Sequence, residues 1–507
     1  LPPKSDGTSW PGGPPPPSGD AFARLLASLR AGHRARTQGV KGAARGHLLA
    51  RLHRELRAPL VCVAVDEEAA DALAHDLAFF LGGTGSLLEP RVLRLPADEV
   101  LPYDELSPEA GPITERLGAL FHLARGTQFP ALVLSVRALH RRVLPLGVME
   151  GLAQRVEVGQ DFDRDSLARK LALMGYQNSP LVEDKGTFSV RGGLLDVFSP
   201  LYERPVRLEF FGDTIESIRV FDPESQRTVD ALKTVDLVPA RELLLTDDTR
   251  PRAEAADRAV ADRINLPTIK LRERLDALRE GLPGFGLEGL LPGFFEGGLA
   301  SVFDYLRAWA PEPVVYLDDP VGLDRALEEL SAELAKGVEE ADARQDLTYP
   351  PEHHFLTREG VAEGLEALRV VEGGGLSLTQ SEVPVAFTFG TTQDLREAIL
   401  AHHGEEGALT PLVERLQRWR DTGVACAVAC GTLSQADRLK RLLLDRSVMV
   451  KVHTEALQDA AKLYEPAVWA HLFTGEVSHG FIDPEGRLAV LADEEIFGVR
   501  SRRRVKR

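Results

Sequence analysis

The sequence predicts a multidomain α/β protein. Its 507 residues are enough for roughly three or four domains of ordinary size. Apolar runs of strand length alternate with helices through residues 21–146 and again through residues 375–497, an arrangement typical of parallel sheets covered by helices. Between these stretches, residues 147–240 change to a helix followed by paired antiparallel strands, which predicts a separate α+β module.

Helix and strand alternate along the first α/β part. Residues 1–20 precede it and are so rich in Pro, Gly and Ser that we predict a disordered leader there. Helices are then predicted around Phe22–Leu29, through Leu56, over Glu67–Leu81 and over ITERLGALFHLARG. Strands are predicted at PLVCVAVD, RVLRLP and ALVLSV, so the order indicates a parallel sheet.

The stretch VKGAARGHLL, residues 40–49, lies where a phosphate-binding loop would lie in such a part. A working loop, G-x-x-x-x-G-K-[ST], wraps phosphates with glycine N–H groups and adds a lysine for the outer phosphates and a hydroxyl for magnesium. After Gly42, Arg45 and Gly46 stand where the lysine and the hydroxyl belong. A forked guanidinium is a poor substitute for an ammonium, and glycine has no side chain to hold a metal. The loop is therefore predicted to lack the chemistry of an ATPase.

Alternating strands in the second module predict a two-sided sheet. The segments TFSVRGGLLDVFSP and PVRLEFFGDTIESIRVFD turn at Gly192-Gly193 and Gly212-Asp213. In PVRLEFFGD, apolar side chains alternate with Arg207, Glu209 and Phe211, so one face is apolar and the other mixes charge with an aromatic ring. Arginine and aromatic side chains together are typical of protein interfaces, although a solvated sheet face with one exposed Phe has the same pattern.

The rest of the chain shows no recognisable active site. Residues 241–374 are predicted to be rich in helices, and residues 375–497 resume strand–helix alternation with VPVAFTFG, GVACAVAC, VMVKVH and LAVLADEE. The last of these strands ends in acids, as a magnesium-binding strand of an ATPase does, but such acids act opposite an intact phosphate loop. A solvated acidic turn is therefore the preferred interpretation, and no metal site is predicted.

Composition narrows the class of partner. The formal net charge of −17 argues against nonspecific DNA binding by this segment, because such binding depends on Lys and Arg neutralising phosphates. The cysteines Cys62, Cys426 and Cys430 lie in apolar runs, which favours buried residues in a reducing compartment over disulfides. There is neither a membrane-spanning run nor a secretion signal, so we expect a cytoplasmic protein.

Several long motifs resemble those of a known family. The segments LPADEVLPYDELSPEAGPITERLGAL, GTFSVRGGLLDVFSP and VRLEFFGDTIESIRVFDPESQRT are similar to the bacterial transcription-repair coupling factors and, more distantly, to the excision-repair helicase UvrB. The resemblance runs from about Ala21 to the end and is weaker in the third and fourth parts, at LPGFFEGGLASVFDYL and HGFIDPEGRLAVLADEEIFG. It covers the amino-terminal half of a family member.

The resemblance implies a domain organisation. Residues 21–146 correspond to UvrB domain 1a, residues 147–240 to domain 2 and residues 241–374 to domain 1b, so that domains 1a and 1b form a degenerate RecA-like α/β domain with domain 2 inserted. Residues 375–497 would be a further α/β domain, and residues 498–507 a basic linker to an RNA-polymerase-interacting domain. The domain 1a loop of this family is degenerate, as in KGAARGH. No cofactor is therefore expected in this segment, and ATP and Mg²⁺ would act in a carboxy-terminal motor.

The resemblance also implies a binding surface. Domain 2 of UvrB binds the damage sensor UvrA, and the positions of this chain that match or lie within that surface motif are Arg191, Arg207 and Glu209 and, less closely, Asp196, Phe211 and Arg219. Gln177 stands where relatives often carry an arginine, which implies a weaker or rearranged contact because the hydrogen bond would no longer be charge-assisted.

The implied function is recruitment. The intact protein would bind RNA polymerase stalled at a lesion, displace it with an ATP-driven translocase acting on double-stranded DNA, and bring in UvrA through the second module, which the rest of the protein would mask until then. Two alternatives stay open. One is an active ATPase of the UvrB kind, which the Arg45-Gly46 pair and the absence of an aromatic hairpin after YDELSPE oppose. The other is a structural scaffold whose hairpin face touches only its own neighbouring domains.

Overall fold

A computed structural model describes most of the chain. The described residues are 20–86, 89–106, 108–279, 287–310, 312–374, 383–401, 407, 409–453, 457 and 463–498. The predicted leader, up to residue 19, and the predicted basic linker, from residue 499, lie outside them. Within the described ranges, no helix has the length and apolar character needed to cross a membrane.

The helices and strands follow one another throughout the described residues. The helices are α1 Asp20–Ala31, α2 Ala43–Leu56, α3 Glu67–Leu81, α4 Ala110–Ala124, α5 Val136–His140, α6 Leu146–Leu152, α7 Arg164–Leu173, α8 Thr249–Arg263, α9 Thr268–Arg279, α10 Val302–Trp309, α11 Pro320–Arg344, α12 Pro351–His354, α13 Arg358–Glu366, α14 Gln393–Ala401, α15 Thr410–Asp421, α16 Leu433–Leu444 and α17 Asp493–Phe497, with a 3₁₀ helix at Glu288–Phe294.

The strands share this order along the chain. They are β1 Arg34–Gln38, β2 Leu60–Ala64, β3 Val92–Leu95, β4 Ala131–Ser135, β5 Gln154–Glu157, β6 Gln177–Asn178, β7 Thr187–Arg191, β8 Leu194–Val197, β9 Val206–Phe211, β10 Thr214–Phe221, β11 Thr228–Leu232, β12 Thr234–Leu237, β13 Val314–Leu317, β14 Arg369–Glu372, β15 Val385–Ala386, β16 Gly390–Thr391, β17 Ala425–Cys430, β18 Val450–His453, β19 Ala470–Thr474, β20 Phe481–Asp483 and β21 Leu488–Ala492.

Two compact units contain these elements. The larger consists of the described residues within 51–74 and 83–380, and the smaller of those within 1–50, 75–82 and 381–507. Parallel sheets occur in both, so the predicted multidomain α/β class is confirmed. The predicted boundaries between individual domains stay predictions.

In the larger unit, parallel strands run in the order β14-β13-β2-β4-β3. Every residue of β2 and β4 is buried, which explains why PLVCVAVD and ALVLSV are continuous apolar runs rather than alternating ones. The predictions missed β13 and β14, because each is a four-residue strand inside a stretch that is otherwise helical. β13 lies beside β2 and β14 lies beside β13, which is the arrangement that the resemblance to domains 1a and 1b implied.

The second module is a six-stranded sheet in the same unit, in the order β11-β10-β9-β8-β7-β6. Its pairs are antiparallel except for β6 and β7. The predicted turns are present, and Gly192 and Gly212 have φ angles of 58° and 63°, which a residue with a side chain rarely adopts. A second, two-stranded sheet pairs β5 with β12. The predicted α+β architecture is thus confirmed.

One apolar core joins this module to the parallel sheet. Val61 and Leu134 of the parallel strands belong to the same cluster of buried residues as Leu171 of α7 and Leu195 and Leu208 of the module. The inner face of the module is therefore buried in a core that includes α7 and the parallel sheet, whereas the outer face carries the exposed side chains.

A buried ion network lies beside that shared core. Arg116 of α4 donates to Asp98, at 3.0 Å, and to Glu242, at 2.8 Å, and Arg141 bonds the same two carboxylates at 2.6 and 2.8 Å. Glu242 follows β12 closely, so the network ties the end of the module to α4 and α5. Burial would raise the pKa of Glu242, but the charges and hydrogen bonds of the two arginines outweigh it and hold that pKa well below its ordinary value.

The smaller unit contains a six-stranded sheet of its own, in the order β16-β20-β21-β17-β19-β18. Strands β18, β19, β17 and β21 are mutually parallel, as the alternating pattern of residues 375–497 predicts. The predicted strand VPVAFTFG is broken into two short strands: Val385–Ala386 form β15, which pairs with β1, and Gly390 begins β16, which pairs with β20. The predictions missed β1 because its sequence, RARTQ, contains one apolar residue.

We predict that Glu242→Ala destabilises the larger unit by about 3 kcal/mol, because it leaves the buried Arg116 and the largely buried Arg141 with one carboxylate. The contribution of Glu242 to the free energy of unfolding should be fully present above the pKa of about 4.3 that this carboxyl has in the unfolded chain. It should be lost as the pH falls toward the lower pKa of the folded state. Urea denaturation of both proteins at a series of pH values measures this difference, which should be constant from about pH 6 to pH 8 and should shrink below about pH 4.

The matched control is Glu340→Ala on α11, which removes an exposed partner of Lys336 and should change stability by about 0.5 kcal/mol or less. Equal effects of the two substitutions would contradict the role assigned to the buried network.

Candidate partner-binding site

Strand pairing brings the predicted binding residues onto the outer face of the module. Asp196 of β8 lies opposite Arg207 of β9, and Arg207 lies opposite Arg219 of β10. Glu209 lies two residues after Arg207 on β9 and therefore on the same face. Because directly paired residues point to the same side of a sheet, four of the predicted residues form one continuous patch.

Asp196 is the centre of this patch, and its side chain is almost completely buried. Its Oδ1 accepts from Nε of Arg207 at 2.6 Å, and its Oδ2 accepts from Nη2 of Arg207 at 2.8 Å. Arg191 also donates to Oδ2, at 2.6 Å. Asp196 is therefore placed to orient two arginines rather than to contact a partner itself.

Arg207 is held on several sides. Besides the two-pronged bond to Asp196, its Nη2 donates to the side chain of Gln226 at 3.2 Å, and its guanidinium lies 4.6 Å from the centre of the Phe221 ring. The hydrogen bonds to Asp196 raise the pKa of Arg207, so the group stays charged. Its geometry is fixed before any partner arrives.

The other members of the patch are more accessible. The side chains of Arg191 and Arg219 are 46% and 45% exposed. Glu209 accepts from Ser217 Oγ at 2.5 Å and lies 3.2 Å from a nitrogen of Arg219, so its carboxylate is oriented by β10. Phe211, at the end of β9, is 80% exposed. The structure thus brings together all six predicted residues, with Phe211 at the tip and Asp196 beneath the surface.

Gln177 lies at the far edge of the sheet. It begins β6, pairs with Thr187 and is exposed. It is therefore three strands away from Arg207, which places the departure noted in the sequence at the rim of the patch rather than at its centre.

A small apolar cluster under the patch was missed by sequence reasoning. Val182, Phe198 and Phe221 pack together, separately from the main core, and Arg207 lies over Phe221. Phe221 lies two residues beyond Arg219 on β10 and therefore on the same face, but local periodicity does not show that the loop before β7 folds over it, because that contact joins residues far apart in the chain.

The loop around Gly42 is packed against a neighbouring segment of the same unit. A Cβ atom added to Gly42 would lie 3.5 Å from Cβ of His479 and 3.7 Å from Oγ of Ser478. Arg45, at the start of α2, turns back and donates from Nε to the Gly42 carbonyl at 3.2 Å. The guanidinium of Arg45 therefore contacts the loop itself.

Ser478 is fixed by a buried acid on α3. Both its backbone N–H and its hydroxyl donate to the carboxylate of Asp76, at 2.7 and 2.8 Å, and Arg45 lies 4.0 Å from the same group. Burial raises the pKa of Asp76, and the bonds from Ser478 together with the charge of Arg45 oppose that rise. These contacts keep the segment seated against the glycine loop.

Gly46 is required by helix packing. A Cβ atom at this position would lie 2.6 Å from the backbone of Asp76, closer than any ordinary contact. The serine or threonine of a working phosphate loop could therefore not replace Gly46 unless α2 moved away from α3.

The sequence predicted a solvated turn at the acids after β21, and this prediction is wrong. Asp493–Phe497 form the short helix α17, and Glu495 is buried. Its carboxylate accepts hydrogen bonds from Thr392 Oγ1 at 2.8 Å and from the N–H groups of Gly480 and Ala492 at 3.0 Å. A buried carboxylate with this many donors stabilises the fold, and no metal-binding group of three or more His, Cys, Asp or Glu side chains was found among the described residues.

Comparison with known proteins agrees with the resemblance. Residues 155–243, which include all six predicted binding residues, match the family described as the UvrB interaction domain. The chain is 77% identical over 491 residues to the transcription-repair-coupling factor of Myxococcus xanthus, covering 96% of this chain and 41% of that protein. It is 27% identical over 503 residues to that of Bacillus subtilis and 26% over 493 residues to that of Escherichia coli, covering 96% and 95% of this chain and 40% and 39% of those proteins. The chain spans about two fifths of the length of these relatives.

We predict that Gly46→Ala destabilises the smaller unit by about 1–3 kcal/mol, because the added methyl group overlaps the backbone of α3. Thermal unfolding measures the effect. The control is Gly151→Ala in α6, where a Cβ atom has nothing within 4 Å and alanine should stabilise the helix by about 0.5–1 kcal/mol. A Gly46→Ala protein as stable as the parent would show that the two helices have room for a side chain.

Proposed function

We propose that this chain, which matches the amino-terminal part of the transcription-repair-coupling factors, recruits the excision-repair protein UvrA to RNA polymerase stalled at DNA damage. The module at residues 155–243 is the recruiting element. The observation that carries this proposal is the open outer face of the module, where exposed arginines and Phe211 lie within the segment that matches the UvrB interaction domain.

The members of the patch have different roles in this proposal. Arg191, Arg219 and Phe211 contact UvrA directly, since they are the members with substantial exposed area. Asp196 and Arg207 position them, because the buried carboxylate and the clamped guanidinium fix the strand and orient Arg191. Because these charged pairs are already ordered before binding, less side-chain entropy is lost when the partner binds.

A scaffold that contacts only its own domains is less well supported. Such a scaffold would cover the outer face of the sheet, yet in the described part of the chain Phe211 presents 80% of its surface to solvent. A single exposed ring is common on protein surfaces, but a ring beside exposed arginines has the composition of a protein interface.

The remaining activities of the proposal belong to the longer protein. Displacement of RNA polymerase by an ATP-driven translocase on double-stranded DNA would require a motor beyond the two fifths of the relatives that this chain spans. The net charge of −17 is consistent with a segment that works through proteins rather than by gripping DNA.

The segment itself is proposed to be non-catalytic. Ser478 and His479 lie against Gly42, Arg45 bonds the loop carbonyl, and Gly46 has no space for a hydroxyl-bearing side chain. Each of these contacts uses a part of the loop that an ATPase needs for phosphate or magnesium.

We predict that Arg191→Ala and Arg207→Ala each weaken UvrA binding about thirtyfold, the effect of losing about 2 kcal/mol at an interface. Isothermal titration or surface plasmon resonance with the full chain measures it. Arg191→Ala should lower folding stability less than Arg207→Ala, because it removes one hydrogen bond from buried Asp196 and leaves the two from Arg207 in place.

The control for both is Arg169→Ala on α7, the helix whose buried face packs on the inner side of the module. It removes an exposed arginine of the same domain and should not change affinity. Unchanged affinity in Arg191→Ala would reject this face as the UvrA site.

A nucleotide experiment separates recruitment from the ATPase alternative. We expect 1 mM ATP with magnesium to leave the thermal midpoint of the chain unchanged relative to magnesium alone. A bound nucleotide with a Kd of 10 μM would add about 2.7 kcal/mol of stability and raise that midpoint by several degrees. Such a rise, with hydrolysis above background, would favour the UvrB-like enzyme instead.

A further inference from the structure

We infer that the UvrA-binding face has a second apolar anchor, Leu181, at the end opposite Phe211. The inference rests on the proposed UvrA recruitment and deepens it, since no sequence motif pointed to this residue. It starts from the loop of residues 179–186, between β6 and β7, where Leu181 is 48% exposed.

The loop is seated on the outer face of the sheet. Val182 is buried against Phe198 and Phe221, and Phe221 is the ring on which the guanidinium of Arg207 lies. Val182 thus fills the sheet side of the loop next to the binding patch. Leu181, its exposed neighbour, is left at the rim of that patch.

Hydrogen bonds hold the loop in this position. Lys185 donates from Nζ to the Pro200 carbonyl at 3.2 Å, and the Gly186 N–H donates to the Phe198 carbonyl at 2.8 Å. Thr187 Oγ1 donates to the carbonyl of Asp184 at 2.6 Å. An exposed leucine on a loop fixed in this way loses little conformational freedom on binding, which suits an anchor side chain.

The distance between the two anchors sets the size of the patch. The Phe221 N–H donates to the carbonyl of Pro205, so the apolar cluster lies level with residue 205, six residues along the chain from Phe211. At about 3.3 Å per residue in a strand, the apolar cluster next to Leu181 is about 20 Å from Phe211. That length is comparable with the span of an ordinary protein interface.

The charges between the anchors define the chemistry of the partner surface. Three arginines face two carboxylates on the strands, one of which is buried, so these five residues carry one net positive charge. The complementary surface of UvrA should carry acidic groups between two apolar recesses about 20 Å apart.

The test is Leu181→Ala in the full chain, which should weaken UvrA binding about tenfold, the loss expected on truncating an apolar hot-spot residue. Leu181→Met retains the apolar area and should bind within about twofold of the parent. The matched control, Leu173→Ala, changes a leucine of similar exposure, 40%, in the same module. It lies at the end of α7, whose Leu167 and Leu171 pack into the main core on the inner side of the sheet, so its affinity should not change.

The outcomes separate this inference from the proposed function. If Leu181→Ala binds normally while Arg191→Ala is weakened, the second anchor is refuted and recruitment through the arginine patch stands. If neither substitution changes affinity, the outer face is not the UvrA site and both proposals fail. If Leu173→Ala is weakened as much as Leu181→Ala, the loss reflects general apolar area rather than an anchor, and the inference is likewise rejected.

Discussion

The buried network of Arg116, Arg141, Asp98 and Glu242 is the constraint on which the position of the recruiting module depends. Charges removed from water are costly, so such a network persists only when every member has partners in good geometry. Here each arginine bridges both carboxylates at 2.6–3.0 Å. Because Glu242 follows the last strand of the module, these bonds and the shared apolar core fix the module on its α/β neighbour and leave one face of its sheet open.

The same principle recurs at a smaller scale on that open face. Asp196 is buried, but its two arginine partners reach toward solvent. One carboxylate therefore organises Arg191 and Arg207 without occupying the surface itself. The difference between the two clusters is their exposure: the first serves the architecture alone, whereas the second supports a patch that is ordered and still accessible to a protein partner.

The glycine loop shows how an ATPase-like fold can keep its shape after losing its chemistry. The first helix after the loop, α2, still starts where a phosphate-binding helix starts, but each chemical position serves packing. Gly46 allows α2 to approach α3, Arg45 bonds its own loop, and Asp76 holds Ser478 against Gly42. Close packing at Gly46 and the positive φ of Gly42, 53°, are enough to explain glycines at these positions, which is why a glycine-rich motif by itself is weak evidence for nucleotide binding.

The sequence by itself determined the α/β class, the antiparallel module and the outward alternation of Arg207, Glu209 and Phe211, because these follow from local periodicity and turn residues. The short strands β13 and β14, the helical acids after β21 and the loop that carries Leu181 were decided only by the tertiary structure. Each of them depends on contacts between residues distant in the chain: a four-residue strand is specified by its neighbours in the sheet, and Glu495 is buried because Thr392 and Gly480 supply donors to it. Local pattern fixes which way a side chain points on its own element, whereas what covers it is set by the packing of the whole unit.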